Sequence, residues 1–168
     1  MRLLIIIVIM GIFTMGHAPW GQHHVYRQIH MLILCDKKDV GSFEHTKNLV
    51  AFFNDYLPEA KARVARAPHE ERIIALLQTN QIPLALISYK HLKKITNKDK
   101  NTYDFFSKET RVLFFFSEAV LISNNTFPIE KSAKIVATLM KGSEKSIYRN
   151  LEYYKKNNYF IPSDESIK

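Results

Sequence analysis

Apolar positions along the chain fall in short blocks whose period changes from block to block. After His30 the run Met31-Leu32-Ile33-Leu34-Cys35 is continuous and stops abruptly at Asp36-Lys37-Lys38-Asp39. That length and that stop predict a strand buried on both faces, as in a parallel sheet. Gly41 and Ser42 supply a turn and a helix N-cap. Leu49, Val50, Phe53, Tyr56 and Leu57 then recur at helical spacing up to Pro58, where a helix must end. Ala62 to Ala67 (ARVARA) reads as a second short strand. Pro68 opens a second helix, with Glu70 and Glu71 at its positive end and Ile73, Ile74, Leu76 and Leu77 as its apolar face. Thr79-Asn80-Gln81 stops it, and Ile82 to Tyr89 (IPLALISY) is a third strand with Pro83 at its start. Strand, helix, strand, helix, strand makes two βαβ crossovers, which predicts a right-handed parallel sheet flanked by helices.

The second half is less regular. Lys90 to Thr110 is rich in Lys, Asn, Asp and Thr and reads as a mobile or lightly helical connector. Arg111 to Ser123 (RVLFFFSEAVLIS) is strongly apolar, broken at Ser117-Glu118 into two short strands or one bent strand. Thr126 is placed to cap the next helix, with Pro128 near its start, a stripe of Ile129, Ala133, Val136, Leu139 and Met140, and Lys141-Gly142 as its stop. A last helix is expected from Ser143 to about Lys156, with Ile147, Leu151 and Tyr154 on one face. The fold class expected is α/β, a mostly parallel sheet flanked by helices over residues 30–160, with an arm at 19–29 and a flexible tail at 161–168.

The first residues belong to none of this. Met1-Arg2 precedes an apolar run from Leu3 to Phe13, followed by TMGHA with Gly16 and Ala18 in a small-x-small arrangement. Eleven residues of helix reach about 17 Å at ~1.5 Å per residue, short of a hydrocarbon core of about 30 Å. The pattern is that of a secretory signal peptide cleaved after Ala18, which implies export.

Charge and residue usage narrow the chemistry. The 168 residues carry 24 basic and 16 acidic side chains, a formal charge of +8, and a single cysteine, Cys35. One cysteine excludes an intrachain disulfide framework and a multi-cysteine zinc site. A thiol ending an apolar strand reads as a small buried hydrophobe. No nucleophile elbow, P-loop, GxGxxG or HExxH occurs in the chain. Without them neither nucleophilic catalysis nor nucleotide binding has its usual support, and the expectation is a non-catalytic protein with no cofactor. His17, His23, His24 and His30 cluster before the first strand. Cleavage removes His17, and the arm offers no carboxylate to complete an ordered site, so no metal is expected. Lys90 to Lys168 holds 15 basic against 9 acidic residues. In an exported protein such Lys-rich stretches read as solvated faces, and nucleic acid is not an expected partner.

The stretch FEHTKNLVAFFNDYLPEAKARVARAPHEERIIALLQTNQIPLALISY resembles the opening lobe of periplasmic solute-binding proteins. More narrowly it is similar to the TAXI group associated with TRAP transporters, which has a type 2 periplasmic-binding fold. Leu76-Leu77-Gln78-Thr79-Asn80-Gln81 and Leu84-Ala85-Leu86-Ile87 carry that likeness, as does FSEAVLISNNTFPIEKSAKIVATLMK further on. Two departures stand out. The first βα turn, DKKDVGSF, has only Gly41 where the family is glycine-rich, and only Lys90 to Thr110 stands where a second lobe is expected. The resemblance therefore implies a single lobe of a bilobal fold.

It also implies binding of a small anionic or organic solute for uptake or sensing, with a membrane transporter subunit as a possible partner. Open α/β sheets place ligands at the carboxyl ends of their strands. The candidates there are Asp36, Lys37 and Ser42 after the first strand, His69 after the second, and Ser88 and Tyr89 after the third. Lys37 would pair with a carboxylate, Ser42 would donate at a helix N-terminus, and Tyr89 would cover the ligand. The alternative is a periplasmic accessory protein that binds a partner protein through the surface a missing lobe leaves bare, with Phe105, Phe106 and Phe114 to Phe116 near it, although the last three are expected rather in the sheet core.

Overall fold

The structure is a computed structural model and describes residues 25–143. The expected signal peptide, most of the expected arm, the helix expected beyond Ser143 and the expected tail lie outside the described residues. A helical stretch at 25–29 leads into β1 (Leu32–Asp36), α1 (Val40–Tyr56) and a 3₁₀ turn (Pro58–Ala60). Then come β2 (Arg63–Ala67), α2 (Glu70–Gln78), β3 (Leu84–Ser88), α3 (Tyr89–Thr96), α4 (Lys100–Lys108), β4 (Thr110–Phe115), β5 (Ala119–Asn124) and α5 (Ile129–Ser143).

The strands form one sheet in the order β2-β1-β3-β5-β4. β1 runs parallel to both β2 and β3, as the two crossovers require. β5 runs antiparallel to β3 and to β4, so the sheet is mixed. β4 and β5 are the two strands into which Ser117-Glu118 divides the apolar run, joined by a tight turn in which the Phe116 amide donates to Ala119 at 2.8 Å.

Strand alternation splits the core in two. Leu32, Leu34, Ala85, Ile87, Val120 and Ile122 face α2, α3 and α4, meeting Ile73, Leu77, Leu92, Ile95 and Phe106. Ile33, Leu84, Leu86, Phe114 and Leu121 face α1 and α5, meeting Leu49, Phe53, Ile135 and Leu139. The architecture is therefore three layers, helix–sheet–helix. The chain moves one way from β1 to β2 and then back past β1 to β3, so right-handed crossovers must put α1 and α2 on opposite faces. They lie there.

Three expectations are corrected. Lys90 to Thr110 is no loose connector but two helices, α3 and α4, capped by the side chains of Ser88 and Asp99, which accept from the amides of His91 and Thr102. α1 is capped by Asp39, whose carboxylate accepts from the Ser42 amide at 3.4 Å, so Ser42 lies inside the first turn. Thr126 does not cap α5. Its amide and hydroxyl both donate to the Asn124 side chain, and the helix begins three residues later. Of the phenylalanines near the expected partner surface, Phe105 and Phe106 are placed otherwise, and Phe114 to Phe116 lie in the sheet core expected for them. Phe105, Phe106, Phe114 and Phe116 are buried and Phe115 is half-buried, because each fills one of the two core layers.

Candidate ligand-binding site

The carboxyl edge of the parallel strands is where ligands are expected. β1 and β3 are neighbours, and the helices that follow them, α1 and α3, leave on opposite faces of the sheet. That divergence is a topological switch point. Asp36 ends β1 and is buried, with one oxygen accepting from the Lys38 amide at 2.7 Å. Its other oxygen lies 3.1 Å from Nε2 of His91 on α3. The same nitrogen is 3.4 Å from Glu70, the buried first residue of α2. Lys94 and Lys98 close on Glu70 at 3.2 Å each, and Lys98 also reaches Glu71 at 2.7 Å. Burial raises the Glu70 carboxyl, but the ammonium groups of Lys98 and Lys94 outweigh it and hold the group below its ordinary value. Glu71, bonded by Lys98, is brought down to about 2.

Of the six residues expected at this edge, Asp36 and Ser88 end strands. Lys37, Ser42, His69 and Tyr89 follow in the connections and first helical turns, and most of the six are engaged by the fold. The Ser42 hydroxyl donates to the Asp39 carbonyl at 3.1 Å. The Ser88 hydroxyl accepts from the His91 amide at 3.2 Å. The Tyr89 hydroxyl donates to the Phe116 carbonyl at 2.8 Å, which ties α3 to the β4–β5 turn. His69 caps α2 with extended backbone, and its ring meets Glu71 at 3.1 Å. Lys37 is exposed, with only its backbone amide used, donating to Ala67 at 2.8 Å. Reading the sequence missed His91, Glu70, Lys94 and Lys98, which tie the strand ends to α2 and α3. Among the described residues no group of three or more His, Cys, Asp and Glu side chains is placed to hold a metal ion.

The open space lies at the other edge. A cavity of about 790 Å³ sits at the amino ends of β1 and β3, within the range of small-molecule pockets. Leu32 and Leu84 begin those strands, and antiparallel β5 delivers Thr126, Phe127 and Pro128 to the same edge. The α2–β3 turn, Thr79 to Pro83, forms one wall. Its tight reversal uses Asn80 at φ 50°, in the left-handed region that asparagine tolerates. Leu57, Ala60 and Ile135 line the cavity as well. The segment 27–31 lies across the cavity and is clipped in place by Arg27, which donates to the Gln81 side chain at 2.7 Å, and by the Met31 amide, which donates to Ala60 at 2.9 Å.

The cavity's chemistry is divided. Leu57, Leu84 and Ile135 are buried, while Met31 and Phe127 are half-buried with apolar faces toward solvent. The ionic residues are Arg27, Lys131, Lys134 and Glu59. Lys134 pairs with Glu59 and holds that carboxyl below its ordinary value. Lys131 is exposed and makes no ion pair among the described residues. None of these residues forms a contiguous motif, since five separate segments contribute. No family model matches the chain, and no curated protein or solved structure matches it either.

Proposed function

We propose that the protein is an exported, non-catalytic binding domain that holds a small organic solute in the cavity at the amino edge of its sheet, for uptake or sensing. The observation that carries this reading is the cavity itself. It is roomy, apolar at its floor, and bordered by a few polar and cationic groups, the combination that defines ligand pockets. The single α/β lobe agrees with the likeness to one half of a type 2 periplasmic-binding fold, and the basic–apolar–small start of the chain agrees with export. At the carboxyl edge Asp36, Ser42, Ser88 and Tyr89 are already engaged by neighbouring groups of the fold. The family's usual edge is thus the less favourable one in this chain.

The test is a ligand panel of small organic acids, amines, alcohols and sugars followed by melting temperature, with amide chemical shifts used to place each hit. A ligand at a hundred times its Kd stabilises by about 2.7 kcal/mol, a shift of several degrees for a domain of this size. Shifts confined to the surroundings of Leu84, Phe127 and Ile135 are expected. Ala60→Trp, which fills the cavity, is expected to abolish them. A panel with no hits, or hits that map to Asp36 and Ser88, would overturn the proposal.

A further inference from the structure

The walls of the cavity also specify what kind of solute fits. Three cations, Arg27, Lys131 and Lys134, face one acid, Glu59, and that acid is already taken by Lys134. Arg27 is anchored through a neutral amide oxygen of Gln81, which orients the guanidinium without neutralising it. Lys131 makes no ion pair among the described residues. Two uncompensated cations therefore border a cavity whose floor is Leu57, Leu84 and Ile135, each buried. A compact, fully hydrated anion such as acetate would satisfy the cations and leave the apolar floor wet. A neutral hydrocarbon would cover the floor and add nothing at the cations. A molecule with both parts satisfies both.

We infer that the cavity takes an amphiphilic anion, an apolar chain of medium length ending in a single negative head group, with Lys131 and Arg27 receiving the head. This rests on the reading of the cavity as the binding site and names its ligand class. The guanidinium fork, held by Gln81, presents parallel N–H donors suited to a carboxylate, and the lysine adds a mobile point charge. The chain of the ligand lies along Ile82, Leu84 and Phe127, where each buried methylene contributes about 0.8 kcal/mol. That contribution gives a medium chain an affinity that a two-carbon acid cannot reach.

Octanoate, octan-1-ol and acetate, titrated calorimetrically into the purified full chain, test the inference. Octanoate is expected to bind saturably at one site, with octan-1-ol and acetate each at least tenfold weaker. Lys131→Glu, an exposed substitution that leaves the melting temperature of the free protein unchanged, is expected to weaken octanoate at least tenfold and to leave octan-1-ol unaffected. Octan-1-ol binding as tightly as octanoate, or Lys131→Glu binding octanoate like the parent chain, overturns the ligand class while the cavity reading stands. If no compound of the wider panel enters the cavity and Ala60→Trp changes nothing, both fall together.

Discussion

Nε2 of His91 lies 3.1 Å from a carboxylate oxygen of Asp36 and 3.4 Å from one of Glu70, yet it points squarely at neither. The contact is close without being a directed hydrogen bond. It joins three elements at their ends: β1 through Asp36, α2 through Glu70 and α3 through His91. The ring stands between the two buried acidic side chains and keeps them apart, while Lys94 and Lys98 hold Glu70 from its other side.

Removing the ring uncovers Asp36 above all, since Lys94 and Lys98 still hold Glu70. His91→Leu is expected to cost about 2–3 kcal/mol, near the low end of breaking a buried charged pair. Asp36→Asn in the same background should recover part of that, because the uncovered carboxylate is gone. Urea denaturation of the two single variants and the double variant at pH 7 measures the coupling; strict additivity would show that the contact is geometric coincidence.

Lys98 makes the acid side of this cluster dependent on pH. It bonds Glu71 and Glu70 and lowers both carboxyls, and Glu71 falls from an ordinary 4.5 to about 2. A carboxyl lowered in the folded state stabilises the fold above its unfolded value and loses that contribution as the pH falls through its folded value. The parent chain should therefore lose stability from about pH 4.5 down toward 2. Lys98→Met is expected to be less stable than the parent at pH 6, to lose less on acidification, and to converge with it near pH 2. Parallel denaturation curves at pH 6, 4 and 2.5 check the sign. An acid limb of equal depth in both chains would remove Lys98 from the explanation.

These relationships were unequally legible from sequence. β1 and β3 are buried on both faces, so their apolar runs announce them. β2 is an edge strand with Arg63 and Arg66 exposed, and only its place in the β–α–β rhythm revealed it. α3 and α4 hid because four buried anchors, Leu92, Ile95, Phe105 and Phe106, are diluted by lysines that stand in solvent. The signal that would have found them was the pair of caps, Ser88 and Asp99, three residues ahead of His91 and Thr102. The antiparallel course of β5 was not legible at all, since a buried apolar run has no direction. For the same reason the cavity, built by chain segments that meet only after β5 reverses, left no trace in any local pattern.

The lone thiol offers a direct test of how well the sheet is sealed. Cys35 is fully buried between β2 and α1, and burial pushes its thiol upward despite a hydrogen bond with Thr46 and the nearby Arg66. The thiolate is the reacting species, so both access and ionisation oppose modification. The native protein is expected to resist an aromatic disulfide reagent at pH 8 over hours, with one equivalent reacting within minutes in concentrated urea. Fast reaction of the native chain would show that β2 opens locally from the edge of the sheet.

Gly142 makes a prediction whose sign opposes helix propensity. It lies in α5, where alanine ordinarily stabilises by up to about 1 kcal/mol over glycine. Here a Cβ would stand 2.5 Å from two atoms of the Phe52 ring. That ring is not free to swing away, because it stacks on Tyr56 at 4.6 Å and meets Phe53 edge-on at 5.8 Å. Gly142→Ala is therefore expected to destabilise by about 1–2 kcal/mol, the overpacking cost exceeding the propensity gain. In a Phe52→Ala background the steric opposition is gone, and the same substitution should become neutral or stabilising. Denaturant midpoints of the four chains in this cycle decide it; a stabilising Gly142→Ala in the parent background would mean that α5 and α1 do not approach as closely as Gly142 and Phe52 require.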